Sequence, residues 1–326
     1  MIRNKIAVVG TGSIGLRHLK VLESLGLQSW AVPKRESRLD ALKNQGFAVA
    51  SSLAEAARQG ATFAIIASNT SLHADNAKQA LELGMDLLVE KPFAVDQKAA
   101  LSVFEMAQKL ERQIYVACVL RFSDALRAFR EWLPRIGTVY SVRIECQSYL
   151  PDWRPGRDYR ESYSAKKEEG GVLLDLIHEI DYATWIFGWP ATLTARLENF
   201  GVLGIEAEEW AELFWQTEQK VRVSLCLDYL SRIPRRTMTA FGSNGQLAWD
   251  GIRQQVRLEL AGQAMESSSF PVERDGIYRA QLMAFLDRGS ESPLATAQEG
   301  VRALGICDAA RLSSQTRKEQ TVNYLT

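Results

Sequence analysis

The hexapeptide GTGSIG at residues 10–15 follows the apolar run IAVV and precedes the amphipathic stretch IGLRHLKVL. A Gly-x-Gly-x-x-Gly is weak by itself, but a strand before it and a helix after it are the setting in which it binds a dinucleotide. Gly10 serves the tight turn, Gly12 the close approach of the pyrophosphate, and Gly15 the packing of helix on strand. Phosphate oxygens then meet the amides of the helix N-terminus, with Thr11, Ser13 and Ile14 completing the loop. About twenty residues further on, a site that prefers NAD places a carboxylate on the ribose hydroxyls. Here the second strand runs into PKRESRLD. Lys34, Arg35, Ser37 and Arg38 offer positive charge and a hydroxyl suited to a 2′-phosphate, and Glu36 is the carboxylate at hand, so NADP is expected in preference to NAD.

A second chemical signal is EKP at Glu90, Lys91 and Pro92, directly after an apolar run. Proline restricts the residue before it to extended backbone, which would hold Lys91 at the carboxyl edge of a sheet, where open α/β sheets bind ligands. The chain has three histidines. His18 sits on the first helix one turn beyond the glycine loop and is expected to pack or cap. His73 follows Ser68 and Asn69 on the loop after the third strand and is expected to cap the next helix rather than do chemistry. His178 lies in IHEID. Cys118, Cys146, Cys226 and Cys307 are far apart and match neither a disulfide framework nor a zinc site, so they read as reduced thiols and no metal is expected.

These residues need a frame. Over residues 1–120 short apolar runs alternate with helical patterns, the rhythm of a parallel sheet covered on both faces. Strands are expected at 5–9, 28–32, 63–67, 86–89 and 114–117, with amphipathic helices at 14–25 and 73–83. This predicts an α/β, doubly wound Rossmann domain. Beyond residue 120 a helix over 124–133 ends near Pro134, and 138–149 alternates like a half-buried antiparallel strand. Strand-like runs follow at 191–200, 207–216, 220–228, 236–241, 246–249 and 255–260, and helices at 276–286 and 296–313 close the chain. The expected division is therefore a dinucleotide-binding domain over 1–120 and an α+β domain over 121–326.

A chain of 326 residues with 46% apolar content can build two cores. Lysine plus arginine equal aspartate plus glutamate at 39 each, so no basic field argues for nucleic acid and no acidic tail for a solvating role. A small-molecule partner is the better default. The N-terminus runs straight into a strand, and no apolar run approaches a membrane span, so a cytoplasmic protein without membrane contact is expected.

GTGSIGLRH, the stretch ASNTSLH from Ala67 to His73, VEKPFA, the VACVLRF strand ending at Phe122, and GGVLLDLIHEIDY together resemble the Gfo/Idh/MocA oxidoreductases. That family includes glucose–fructose oxidoreductase and inositol dehydrogenase, and the likeness spans both domains. It implies a Rossmann domain followed by a domain with a large, mostly antiparallel open sheet used for oligomerisation, hence a homodimer or homotetramer. It also implies that Lys91 and His178 lie beside the nicotinamide, and that the loop carrying Ser68, Asn69 and His73, with Glu90 and Lys91, borders the cofactor. Many members place an aspartate four residues before the histidine; here Asp175 stands three before His178. A helix still puts i and i+3 on one face. Asp175 is thus expected in that role, with Glu179 or Asp181 able to take part of it.

Oxidising a secondary alcohol needs a hydride acceptor and removal of the hydroxyl proton; reducing a ketone needs the reverse. His178 is expected as general acid/base, its side chain titrating nearest neutrality. Lys91 would polarise the oxygen and hydrogen-bond to it, and Asp175 would orient the pair or grip a neighbouring hydroxyl. The segment over residues 151–171 is polar, aromatic and basic, with Trp153, Tyr159 and Tyr163 among Arg154, Arg157, Arg160, Lys166 and Lys167. Aromatic faces stack on sugars and arginine forks grip phosphate or carboxylate, which suits a polar, anionic, sugar-based substrate such as a sugar nucleotide. Arg121 is expected to add a contact. The function so read is an NAD(P)-dependent dehydrogenase acting on a sugar, polyol or sugar nucleotide. Two other readings use the same residues: a dinucleotide-binding sensor without activity, and an enzyme that keeps its nicotinamide bound and uses transient oxidation for glycoside cleavage or epimerisation.

Overall fold

The computed structural model describes residues 5–271, 273, 275–287 and 292–325. The first unit begins with β1 (Lys5–Val9), α1 (Ser13–Ser24), β2 (Gln28–Val32), α2 (Leu39–Asn44) and α3 (Leu53–Arg58). It continues with β3 (Phe63–Ile66), α4 (His73–Glu82), β4 (Asp86–Val89), α5 (Gln97–Lys109) and β5 (Ile114–Val116). Strands β1, β3 and β4 read as apolar runs because helices cover both faces, and Ile6, Ala64, Ile65, Ile66, Leu87 and Leu88 have no exposed surface. Its five parallel strands run in the order β5-β4-β3-β1-β2. β1 therefore has β2 on one side and β3 on the other. The chain reverses its winding between β1 and β3, the switch point at which such sheets bind ligands.

Helix α5 was not among the helices expected from periodicity. Asp96 starts it, its carboxylate accepting the Ala99 N–H at 2.7 Å.

The second unit opens with α6 (Asp124–Trp132), β6 (Val139–Tyr149), α7 (Val172–Asp175) and α8 (Ile177–Phe187). Then come β7 (Pro190–Glu198), β8 (Trp210–Thr217), β9 (Arg222–Asp228), β10 (Leu230–Gly242), β11 (Gly245–Asp250), β12 (Gln255–Leu260) and β13 (Glu266–Ser269). The chain ends with α9 (Gly276–Asp287), β14 (Ala295–Thr296), α10 (Ala297–Thr316) and β15 (Gln320–Thr321). Nine strands form one sheet in the order β13-β12-β11-β10-β6-β9-β8-β7-β15. Its pairs are antiparallel except β6 with β9. Alternate residues Val142, Ile144, Leu213, Trp215, Leu225, Met238 and Trp249 face a core under α6 and α8, where Tyr182 meets Trp249 edge-on at 5.5 Å. The opposite parity holds Arg143, Glu212, Phe214 and Ser224, all exposed.

A single cut at residue 120 does not describe these units. Glu273–Leu304 clusters with the N-terminal unit, and Leu120–Val272 with Gly305–Tyr324 forms the other. The reason is apolar packing and an open sheet edge. β14 pairs antiparallel with β5, and Phe285 of α9 lies edge-on to Phe63 at 5.4 Å and to Tyr115 at 6.2 Å. No sequence pattern announces a two-residue edge strand. Phe285 is 1% exposed, so Phe285→Ala should lower the stability of this unit by about 3–5 kcal/mol, measured by denaturant unfolding.

Candidate functional site

The glycine turn lies at the β1/β3 switch point. Gly10 has φ +87°, and a Cβ there would stand 2.6 Å from the Ala67 carbonyl oxygen and the Ser68 amide nitrogen. A Cβ on Gly15 would come within 1.9 Å of the Gly10 carbonyl oxygen, so α1 rests directly on the turn. Around Gly12 nothing stands within 4 Å of that position. Gly12 is the N-cap of α1 and offers the helix no side-chain cap, while Gly12 and Ser13 are exposed and Ile14 half-buried. Open space above a helix N-terminus is what a pyrophosphate requires. Thr11 is buried and belongs to the turn's support.

Past β2, Lys34, Arg35, Ser37 and Arg38 are all exposed, and Glu36, Ser37 and Arg38 form a 3-10 turn. After β3, Ser68 is half-buried and Asn69 exposed. His73 is buried against that loop's backbone. It is the first residue of α4, 2% exposed, with Nδ1 2.8 Å from the Pro92 carbonyl oxygen and Nε2 3.0 Å from the Ser68 carbonyl oxygen. Both ring nitrogens are engaged by backbone carbonyls, and Leu72 is the N-cap of α4, so His73 does not cap that helix. Burial pushes its pKa down, and the two carbonyls pull it partly back.

The EKP tripeptide follows β4. Glu90 Oε1 lies 2.7 Å from Nε2 of the fully buried His18, and Glu90 Oε2 accepts the Lys91 N–H at 3.2 Å. Lys91 is half-buried and joined to Pro92 by a cis peptide bond. Glu90 is thus held by the protein on both oxygens.

In the second unit, Asp175 and His178 do not share one helix. α7 ends at Asp175 and α8 begins at Ile177, with Leu176 between them at φ −100°, ψ 28°. The two alternatives for Asp175 are committed elsewhere. Glu179 has no exposed surface and accepts Arg236 Nε at 2.7 Å; Asp181 receives Arg121 through Nη2 at 2.7 Å and Nε at 3.1 Å. A buried carboxylate with a paired guanidinium is neutralised as a unit and is costly to break. Arg121 itself is 2% exposed and lies over Trp185 at 5.5 Å, so it is a core ion-pair partner and not the expected substrate contact.

Asp175 is buried, and its Oδ2 accepts the Tyr229 hydroxyl at 2.6 Å. Its charge is the main cause that pushes the Tyr163 phenol up; burial, then Asp175, does the same for Tyr229. Neither tyrosine was singled out as an Asp175 partner by pattern, since a lone tyrosine after a strand or within a polar segment carries no spacing signal. His178 is half-buried.

The segment over residues 151–171 is ordered in short 3-10 turns, with Trp153 Nε1 donating to Ser148 Oγ at 2.9 Å and its ring edge-on to Tyr229 at 5.3 Å. Tyr159 donates to the Leu203 carbonyl at 3.0 Å, Arg154 lies over Tyr163 at 5.6 Å, and Arg160 over Tyr159 at 4.7 Å. Arg157 is exposed. Burial pushes the Cys146 and Cys307 thiols up and holds Cys226 at about 11, which keeps these thiols protonated near neutrality. Among the described residues no group of three His, Cys, Asp or Glu is placed to hold a metal, and no helix is long and apolar enough to cross a membrane.

A glycine-cradled switch point and a large open sheet define a two-unit dinucleotide-binding oxidoreductase architecture. Residues 4–118 match the oxidoreductase family with an NAD-binding Rossmann fold, and residues 127–248 match the Gfo/Idh/MocA C-terminal domain. The chain belongs to the Gfo/Idh/MocA family. It is 28% identical over 191 residues to a myo-inositol dehydrogenase of Streptomyces leeuwenhoekii, covering 56% of this chain and 55% of that protein. It is 22% identical over 237 residues to a glucose-6-phosphate 3-dehydrogenase of Bacillus subtilis, covering 68% and 66%. The chain spans less than two thirds of the length of the first curated relatives it matches. Among solved structures, levoglucosan dehydrogenase in complex with NADH has the same fold, with a TM-score of 0.85 at 16% identity over 99% of this chain and all of the other.

Two outcomes follow from this geometry. Gly12→Ala should unfold at the wild-type temperature without ligand yet bind NAD(P)H at least about tenfold more weakly, read by nucleotide fluorescence, because its methyl group enters only the open space. The folded-state pKa of His73 lies below its ordinary 6.5, so the unfolded chain takes up that proton first on acidification. Stability should therefore fall as pH drops through 6.5, and His73→Gln should flatten that part of the thermal-unfolding profile.

Proposed function

We propose that this protein is an NAD(P)-dependent dehydrogenase that moves a hydride between the nicotinamide and a secondary alcohol or ketone carbon of a sugar, polyol or sugar nucleotide. The observation that carries the reading is a glycine cradle open only above Gly12, in a chain that matches both family domains and keeps Lys91 and His178. The names of its relatives, an inositol dehydrogenase and a glucose-6-phosphate 3-dehydrogenase, support a polyhydroxylated substrate.

A bound nicotinamide supplies the hydride acceptor or donor. The amides at the start of α1 hold the pyrophosphate. His178, half-buried and within reach of solvent, takes the hydroxyl proton in oxidation and returns it in reduction. The Lys91 ammonium donates to the substrate oxygen and stabilises negative charge as it develops there. Asp175, anchored through Tyr229, holds its carboxylate in one orientation toward the histidine or a neighbouring hydroxyl. Trp153 and Tyr159 offer faces to a sugar ring, and Arg157 and Arg160 favour an anionic group on it.

The exposed Lys34, Arg35, Ser37 and Arg38 support NADP over NAD. The exposed parity of the nine-stranded sheet, with Phe214 49% exposed, supports a homodimer or homotetramer formed through that face, and the reduced thiols support a cytoplasmic location.

Lys91→Ala and His178→Ala should each lower turnover by about 10²–10⁴-fold while NAD(P)H binding stays within a few-fold of wild type. Near-normal turnover in both would refute the assignment. In a direct titration NADPH should bind more tightly than NADH; the reverse order would refute the role given to the residues after β2.

A further inference from the structure

Two of the three histidines in the chain hold the residues on either side of Lys91. His18 comes from α1 and grips the Glu90 carboxylate; His73 comes from α4 and meets the Pro92 carbonyl. Glu90 uses its other oxygen to accept the Lys91 amide, so the same carboxylate links the histidine to the lysine backbone. His73 also reaches the Ser68 carbonyl, and the Ser68 hydroxyl accepts from Asn76 at 2.9 Å, so the loops after β3 and β4 are tied to each other and to α4. The sheet cannot do this. The parallel ladder pairs Ile66 with Val89 and ends on the first residue of EKP, where the Glu90 N–H donates to the Ile66 carbonyl.

We propose that His18 and His73 are positioning residues that form a two-point clamp on Glu90 and Pro92 and thereby set where the Lys91 ammonium stands. Their burial suits the role: His18 has no exposed surface and His73 2%, so neither touches substrate. His18 is backed by Tyr278, edge-on at 5.6 Å, and Tyr278 in turn lies under Arg17 at 4.9 Å. Arg17 pairs with Asp275 at 3.1 Å. The return of the chain through α9 therefore stiffens the same clamp from outside. In a reaction that depends on a donor within hydrogen-bond reach, a small displacement of that donor is felt in turnover far more than in cofactor affinity.

The inference rests on the dehydrogenase reading only for its effect on turnover, and its principal test needs neither substrate nor cofactor. The full chain is treated with limiting acetic anhydride across a range of pH, and acetylation at Lys91 is quantified by mass spectrometry against the exposed Lys20 and Lys109. His18→Leu and His73→Leu should each change the acetylation rate at Lys91 severalfold and leave Lys20 and Lys109 unchanged. His73→Gln, which keeps a polar reach toward one carbonyl, should restore most of the wild-type behaviour. Should the leucine variants not fold, His18→Asn and His73→Asn are read in the same way, since asparagine is polar but too short to span the same gaps.

In the turnover assay the leucine or asparagine variants should lose about 10- to 100-fold in kcat with NADH affinity nearly unchanged. Unaltered Lys91 acetylation in folded variants overturns the clamp, whatever the enzyme's activity. A wild-type protein that reduces or oxidises no sugar, polyol or sugar nucleotide would instead overturn the dehydrogenase reading and leave the labelling result standing.

Discussion

Three stretches of backbone meet at a point where no side chain can stand. The end of β1, the start of α1 and the loop after β3 approach so closely that a methyl group on Gly10 would collide with the Ala67–Ser68 peptide, and one on Gly15 with the Gly10 carbonyl. Gly10 also takes a positive φ, which costs other L-residues roughly 1–2 kcal/mol. The free amides at the head of α1 are brought to the switch point by this contact. So is the Ser68 carbonyl that His73 grips, and with it the loop that carries Lys91. The anion site and the lysine loop are two outcomes of one steric permission.

The second unit is governed by a different constraint, that a charge taken out of water must be matched. GGVLLDLIHEIDY places three carboxylates within seven residues, all buried. Glu179 is matched by Arg236 from β10, and Asp181 by both Nε and Nη2 of Arg121. Removing either arginine would leave a bare carboxylate in the core, so these pairs are structural and unavailable for proton transfer. Asp175 is held differently. It accepts the Tyr229 phenol at 2.6 Å, and a hydroxyl donor at that distance fixes the orientation of the carboxylate. The break at Leu176 then separates the aspartate from the histidine by a turn, so the three-residue spacing is accommodated by a change of helix and not by a shared face.

Much was determined by the sequence alone, and the physical reason is that those features are local. Runs such as IAVV and DLLV are short, apolar and bounded by turn residues, as buried parallel strands are, and strand, glycine turn and helix follow each other within about twenty residues, so the Rossmann unit and its phosphate turn could be placed to within a residue at β1, β2 and β4. The alternation in β6, β8 and β9 likewise announces a sheet with one covered face. Resemblance over both units, and not spacing, singled out Lys91 and His178.

What the tertiary structure alone decided concerns partners distant along the chain. Arg121 looked like an anion grip and is the mate of Asp181, sixty residues away. His73 looked like a helix cap and is a tie between two loops, and Tyr229 stood out in no pattern until it met Asp175. β14 is two residues long and becomes a strand only because β5 offers it an open edge. A side chain's type states which bonds it can make; which bond it does make depends on what folding brings within about 3 Å of it.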